Sequence, residues 1–251
     1  MKKILTALTS VAFLALTASA DIARVEMGVG AWAQTPSGEL SYINAGATAT
    51  DKSDETEEVQ AYVWALIKHP IPVVPNLRLE YVSLKNTGVA NGTFKEFTVT
   101  AGKTSLEMTQ IDVIPYYNIL DNTFWSTVDI GIDFKVAEMT YDVKNGTDTA
   151  TGTYHDSESV VIPLAYVRGR VEIPVTNIGL EADVKYIAYN TSYMYDVRAK
   201  IDYTFDIFPV VQPAIEVGYR VQKIKIDDDS IGKSDINLEF AGFYAGFMLR
   251  F

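Results

Sequence analysis

The feature that most constrains this chain is an alternation of apolar and polar residues with period two, running nearly unbroken from residue 21 onward. Such alternation marks strands whose two faces meet different surroundings. In the first run Ala23, Val25, Met27, Val29 and Ala31 oppose Arg24, Glu26, Gly28 and Gly30. Further along, Val197, Ala199, Ile201, Tyr203 and Phe205 oppose Asp196, Arg198, Lys200, Asp202 and Thr204. Ten runs follow this rule: 21–34, 57–68, 76–86, 104–118, 123–137, 158–173, 179–190, 194–207, 213–226 and 235–251. Past the first 20 residues no apolar stretch is long enough for a spanning helix, so a chain like this enters a membrane only with strands.

The first 20 residues read separately. Lys2 and Lys3 form a short basic start, Ile4 to Leu16 is apolar, and Ala18-Ser19-Ala20 is a small-residue cleavage site. This is the layout of a secretory signal peptide, with a mature domain expected over 21–251. The chain has no cysteine. Neither a disulfide nor a lipid-bearing new N-terminus is then available. The net charge is -11, and two of the basic residues, Lys2 and Lys3, fall in the leader. An acidic mature chain argues against nucleic acid as a partner.

The links between runs alternate in length. Those at 69–75, 118–122, 174–178 and 208–212 are short, whereas 35–56, 87–103, 138–157 and 227–234 are long and polar; the link at 191–193 is short against the rule. Ten strands put both ends of the mature chain on the short-turn side. A proline turn leading into a strand with a carboxylate on its polar face recurs at Pro72–Pro75, Pro174 and Pro209, which reads as a repeated hairpin.

The last run ends with Ala241, Phe243, Ala245, Phe247, Leu249 and Phe251 on one face. This resembles the closing strand of the small, porin-like outer-membrane β-barrel proteins of Gram-negative bacteria. The resemblance implies an all-β, closed antiparallel up-and-down transmembrane barrel. Ten strands are expected, or eight if 76–86 and 104–118 pair differently. It also implies contact with outer-membrane lipid and lipopolysaccharide, and Phe247, Leu249 and Phe251 as the signal read by the barrel assembly machinery. Tyr117, Tyr203, Phe205, Phe247, Phe251 and the nearby Trp125 cluster next to the short turns, where an interfacial aromatic girdle sits.

With apolar faces toward lipid, the polar faces point inward. The expected lumen network is Arg24, Glu26, Arg78, Glu80, Asp129, Arg168, Arg170, Glu172, Glu181, Asp183, Arg198, Lys200, Asp202, Glu216 and Arg220, joined by Asp112, Asp133, Lys135 and Lys185. A ten-stranded barrel is narrow. Long side chains of opposite sign then either fill it as a packed polar core or leave a narrow charged channel. In the channel reading Arg168, Arg170, Arg198 and Lys200 set selectivity.

Catalytic signals are sparse. The two histidines are His69 in a proline turn and His155 beside Asp156 in a long link. Outer-membrane proteases of this size place Asp and His at the outer rim, so a rim hydrolase stands as the alternative. Ser157 and Ser159 lie near His155. No phosphate loop, cofactor motif or clustered metal ligands appear. The acidic runs Asp51 to Glu58 and Asp227-Asp228-Asp229 read as solvated loops.

Overall fold

The computed structural model describes residues 23–44, 47–71, 73–94, 97–144, 153–208, 210–227 and 234–251. The leader, with its site at Ala20, lies outside them, as do Pro72, Pro209, Asp228 and Asp229. The described residues form β1 (Arg24–Asn44), β2 (Ala47–Ser53), β3 (Glu58–Lys68), β4 (Asn76–Phe94), β5 (Phe97–Thr123), β6 (Ser126–Lys144), β7 (Thr153–Glu172), β8 (Ile178–Tyr189), β9 (Ser192–Thr204), β10 (Gln212–Ile226) and β11 (Ser234–Arg250).

Every neighbour is antiparallel, and β11 pairs back onto β1 from Glu26↔Arg250 to Tyr42↔Ser234, which closes the sheet into a barrel. Closure removes both sheet edges. The eleven strands fill ten positions. β3 pairs with the first half of β1 (Val29↔Val63) and β2 with its second half (Tyr42↔Ala49), while both also pair with β4. They are one strand interrupted at 54–57. Runs 76–86 and 104–118 pair with each other in β4 and β5, so the eight-stranded alternative does not hold.

The short turns gather at one end, here the turn end. Phe124 and Trp125 both have positive φ in a two-residue link, the geometry that suits the right-handed twist of a hairpin. At the opposite, distal end Asn190 and Thr191 make a two-residue turn, with Asn190 at φ 52. Asparagine tolerates that left-handed conformation, which most residues avoid.

Nearer the turn end the outer face carries an apolar belt. Val29, Ile130, Ile132, Val167, Ile201, Val217 and Phe247 are exposed on it. Tyr117, Trp125, Tyr203 and Phe208 lie at its lower margin, and Tyr81, Phe134, Tyr186, Tyr219 and Phe243 at its upper one. The seam between β1 and β11 is tight on the inside. A Cβ at Gly28 would collide with the Trp64 indole nitrogen, and one at Gly246 with the Tyr62 hydroxyl. Glycine there lets the rings lie flat against backbone.

The long links expected at 35–56, 87–103 and 138–157 are largely strand. β1, β4, β5, β6 and β7 run on through them and build a collar above the belt. In the collar the faces exchange character. On β6 the outward residues Val128 to Val136 give way to Glu138, Thr140, Asp142 and Lys144, while Ala137, Met139, Tyr141 and Val143 point inward. On β5, Ile111 gives way outside to Thr109, Glu107 and Ser105, with Met108 and Leu106 inside. The expectation of long polar links there is thus corrected, and the polar inner face stops at the collar. Above the belt the outward residues are polar, as on a wall that meets water, and the apolar residues turn in.

Candidate functional site in the barrel interior

The interior below the collar is built from the alternate residues that the belt leaves facing inward. Because the side chains on a strand alternate strictly, an apolar outer belt forces every second residue into the lumen. All fifteen expected network residues lie there, and thirteen of them are buried. The exceptions are Arg24 and Glu172, which sit at the turn-end mouth with side chains 37% and 39% exposed.

The network is stacked in layers. At the mouth Arg24 lies 2.7 Å from Glu26, and Arg170 donates through Nε to Glu172 at 2.7 Å. Arg170 also forks onto Asp202 (2.5 and 3.0 Å), which accepts from Arg250 at 2.8 Å. Deeper, Arg168 donates to Asp129 (2.6 Å) and Glu181 (2.7 Å). Asn118 also donates to Asp129, and Lys200 stands 3.5 Å from Glu181.

Glu80 is the hub. It accepts from Arg78 Nε at 2.5 Å, Lys185 Nζ at 2.7 Å and Arg198 Nη2 at 3.0 Å. Arg198 bonds Asp183 as well, and Lys185 and Lys135 both bond Asp112. Arg220 forks onto Asp196 at 2.6 and 2.9 Å. Glu216 accepts from Lys200 (2.8 Å), the Tyr62 hydroxyl (2.7 Å) and the Trp64 indole (3.0 Å). The cations also lean on rings: Lys200 and Arg78 lie 4.5 and 4.9 Å from the Trp64 ring centre, and Arg220 5.1 Å from that of Trp32. Cation–ring contacts of this kind gain strength where water is excluded.

Charges so deeply buried persist only when paired, because the desolvation of a lone ion costs several kcal/mol. Sharing supplies that pairing: Glu80 and Glu181 each face more than one cation, and Arg170 and Arg198 each more than one carboxylate. Satisfaction is not complete, since the Asp133 carboxylate and the Gln222 amide have no hydrogen-bond partner among the described residues.

Sequence reasoning left out several participants. Arg250 and Asp196 stand on polar faces that alternation already identifies. Trp32, Trp64 and Tyr62 give no such signal, because large aromatic residues suit a lipid-facing surface equally well.

The other expected residues are scattered. His155 stands on the outer wall of the collar, its Nδ1 2.9 Å from Asp142 Oδ1, and is mostly exposed. His69 caps its turn by contacting the Pro75 carbonyl. Asp51, expected in a solvated loop, is instead buried inside the collar, where it accepts from Thr104 Oγ1 (2.8 Å) and the Tyr141 hydroxyl (3.0 Å). Burial raises its pKa against the opposing pull of those bonds. Phe247 and Leu249 face outward on β11, with Phe247 72% exposed, and Phe251 follows the strand.

No family model and no curated protein matches the chain by sequence. By structure, it is similar to the outer membrane protease OmpT from Escherichia coli. The TM-score is 0.55 at 7% identity, over 91% of this chain and 97% of that one. The fold is that of an outer-membrane β-barrel. The translocator domain of the autotransporter NalP from Neisseria meningitidis matches less well, with a TM-score of 0.43 at 9% identity over 100% and 96% of the two chains. At such identities the likeness concerns the barrel alone.

Proposed function

We propose that this protein is an integral barrel of the bacterial outer membrane that does not conduct: its lumen is a plug of its own side chains, and its working part is the collar. The observation that carries the reading is the Glu80 hub, where Arg78, Lys185 and Arg198 from three different strands converge on one carboxylate. Side chains that meet across a lumen leave no continuous water path at that level, and every cation there already has its anion. A selective pore needs charges that a passing ion can reach.

The belt supports the location. A belt of exposed apolar side chains round the outer face marks a membrane contact, and a closed barrel satisfies its own backbone there. Export by the leader with cleavage after Ala20 belongs to the same reading. So do contact with outer-membrane lipid and lipopolysaccharide, and assembly through the face of Phe247, Leu249 and Phe251.

The test is single-channel recording of the refolded chain in planar bilayers, with a heat-modifiability gel to show that the barrel formed. A folded barrel without unitary steps is the expected result. Steady ion-selective steps that change in Arg168→Ala/Arg170→Ala overturn the plug and restore the porin-like reading.

One observation favours a second reading. The His155–Asp142 contact resembles an oriented base, and the barrel shares its fold with a protease, so a hydrolase acting at the collar wall is the alternative. Peptide or lipid hydrolysis by the reconstituted chain, abolished in His155→Ala, separates the two.

A further inference from the structure

Inside the collar, directly above the charged plug, lies a small cavity of about 50 Å³. Its floor is marked by Gln110, whose amide is turned to Met108 and Lys135. Its walls are aliphatic, and three of its lining side chains are methionines: Met108, Met139 and Met194. Methionine is flexible and polarizable, and adapts to irregular occupants. Above the cavity the lining is looser among the described residues. Val160, Ile162 and Ile226 are only half-buried, as is Ile187 beside them.

The collar is also uneven. β8 and β9 have 12 and 13 residues, whereas β6 and β7 have 19 and 20. Seven residues of strand span roughly 23 Å at ~3.3 Å each. Pairing of β7 with β8 stops at Ala165↔Tyr186, and in that register β8 ends at Tyr189 opposite Ile162, so Thr153 to Val161 runs on past the end of β8. This makes a lateral notch. Its lip is the Asn190–Thr191 turn with Tyr186, Tyr189 and the stacked pair Tyr193 and Tyr195, whose ring centres are 6.2 Å apart. Tyrosine is the residue of the membrane–water interface. The notch therefore opens where the belt ends, at the height of the bilayer surface, and leads to the aliphatic cavity.

Resting on the membrane location proposed above, we infer that the collar is a binding site for a single-chain amphiphile taken from the membrane surface. Its aliphatic end passes over the tyrosine lip into the cavity, and its cationic head stays at the rim. The head assignment follows from charge. Glu158, exposed on the inner side of β7 one step above Val160, presents a carboxylate to whatever occupies the mouth. A carboxylate-headed chain is repelled there, and a choline-headed one attracted.

The experiment is photo-crosslinking in vesicles with a single-chain alkyl trimethylammonium (choline-like) amphiphile carrying a diazirine at its chain end, mapped by peptide mass spectrometry. Adducts are expected on the outer belt, around Val197 and Ile201, and also inside the collar, around Met194 and Ile224. Ala137→Phe fills the cavity and is expected to cut the collar adducts by about tenfold while leaving belt adducts unchanged, a loss equivalent to about 1.4 kcal/mol of binding. If Ala137→Phe loses its heat-modifiable form, Met194→Phe fills the same space. A diazirine fatty acid should label the collar several-fold less, and Glu158→Lys should reverse that preference. Belt adducts without collar adducts, or collar adducts indifferent to both filled variants, overturn the site. Equal labelling by both heads overturns the head assignment. Absence of belt adducts sinks the membrane location, and this site with it.

Discussion

The belt region and the collar are built from the same strands, yet they are inside-out relative to each other. On β6, Ile130, Ile132 and Phe134 face outward while Asp129, Asp133 and Lys135 face in. A few residues on, Glu138 and Asp142 face outward while Ala137 and Val143 face in. Backbone geometry does not change across that boundary, and neither does the alternation of side chains. On the proposed membrane location, only the solvent outside the wall changes. One strand can therefore obey both rules if its hydrophobic phase slips by a single residue at the boundary, since a one-residue slip exchanges the two faces. The interior follows: it is charged where the outside is lipid, and aliphatic where the outside is water.

This contrast predicts opposite responses to the same kind of substitution. The largest effect should come from the plug. Glu80→Ala removes the carboxylate shared by Arg78, Lys185 and Arg198 and should cost about 3–5 kcal/mol, as expected when a buried charge loses its partner. Urea unfolding in vesicles, followed through the tryptophan emission, reads it. Next, Ile201→Arg on the belt should cost about 2–4 kcal/mol, whereas Glu107→Arg, outward in the collar, should stay within about 0.5 kcal/mol. Equal penalties at the two sites would erase the boundary. Smaller again, Ile224→Val in the collar lining should cost about 0.5–1.5 kcal/mol, the behaviour of a packed aliphatic core.

The smallest effect concerns Asp51. Its pKa is raised by burial, so the folded collar binds its proton more tightly than the unfolded chain does. Its contribution is most favourable below the unfolded pKa and is lost as pH rises through the folded value. Asp51→Asn, which keeps an acceptor for Tyr141 and Thr104, should flatten that dependence and leave the collar at least as stable at neutral pH. Hydrogen exchange of β2 as a function of pH checks the sign.

Where the belt is, the sequence could be read almost residue by residue. The run 194–207 became β9 because one constant phase, apolar out and charged in, holds from Tyr195 to Thr204. The collar was missed for the same physical reason that it forms. At Ile111/Thr109 and Val136/Glu138 the phase inverts, and a period-two reading that assumes one outer solvent sees the alternation fade into a polar loop. Asp51 illustrates this: among Asp54, Glu55, Glu57 and Glu58 it looks solvated, but the break at 54–57 turns β2 so that Asp51 faces Thr104 and Tyr141. The charged network was legible as a set of residues. Its pairing was not, because strand order alone does not say that Lys185 reaches across the lumen to Glu80, or that Trp64 supports both Lys200 and Glu216.

The central claim, that one strand crosses from lipid to water with its faces exchanged, can be measured directly along β6. The chain has no cysteine of its own, so single cysteines from Val128 to Lys144 can each carry a spin label in reconstituted vesicles. Collisions with oxygen report lipid, and collisions with a water-soluble nickel complex report water. The account predicts that outward positions up to Val136 favour oxygen, that Glu138, Thr140 and Asp142 favour the nickel complex, and that Ala137 and Val143 are shielded from both. Oxygen preference continuing along the outward positions past Glu138, or nickel access at Ala137 and Val143, would contradict it.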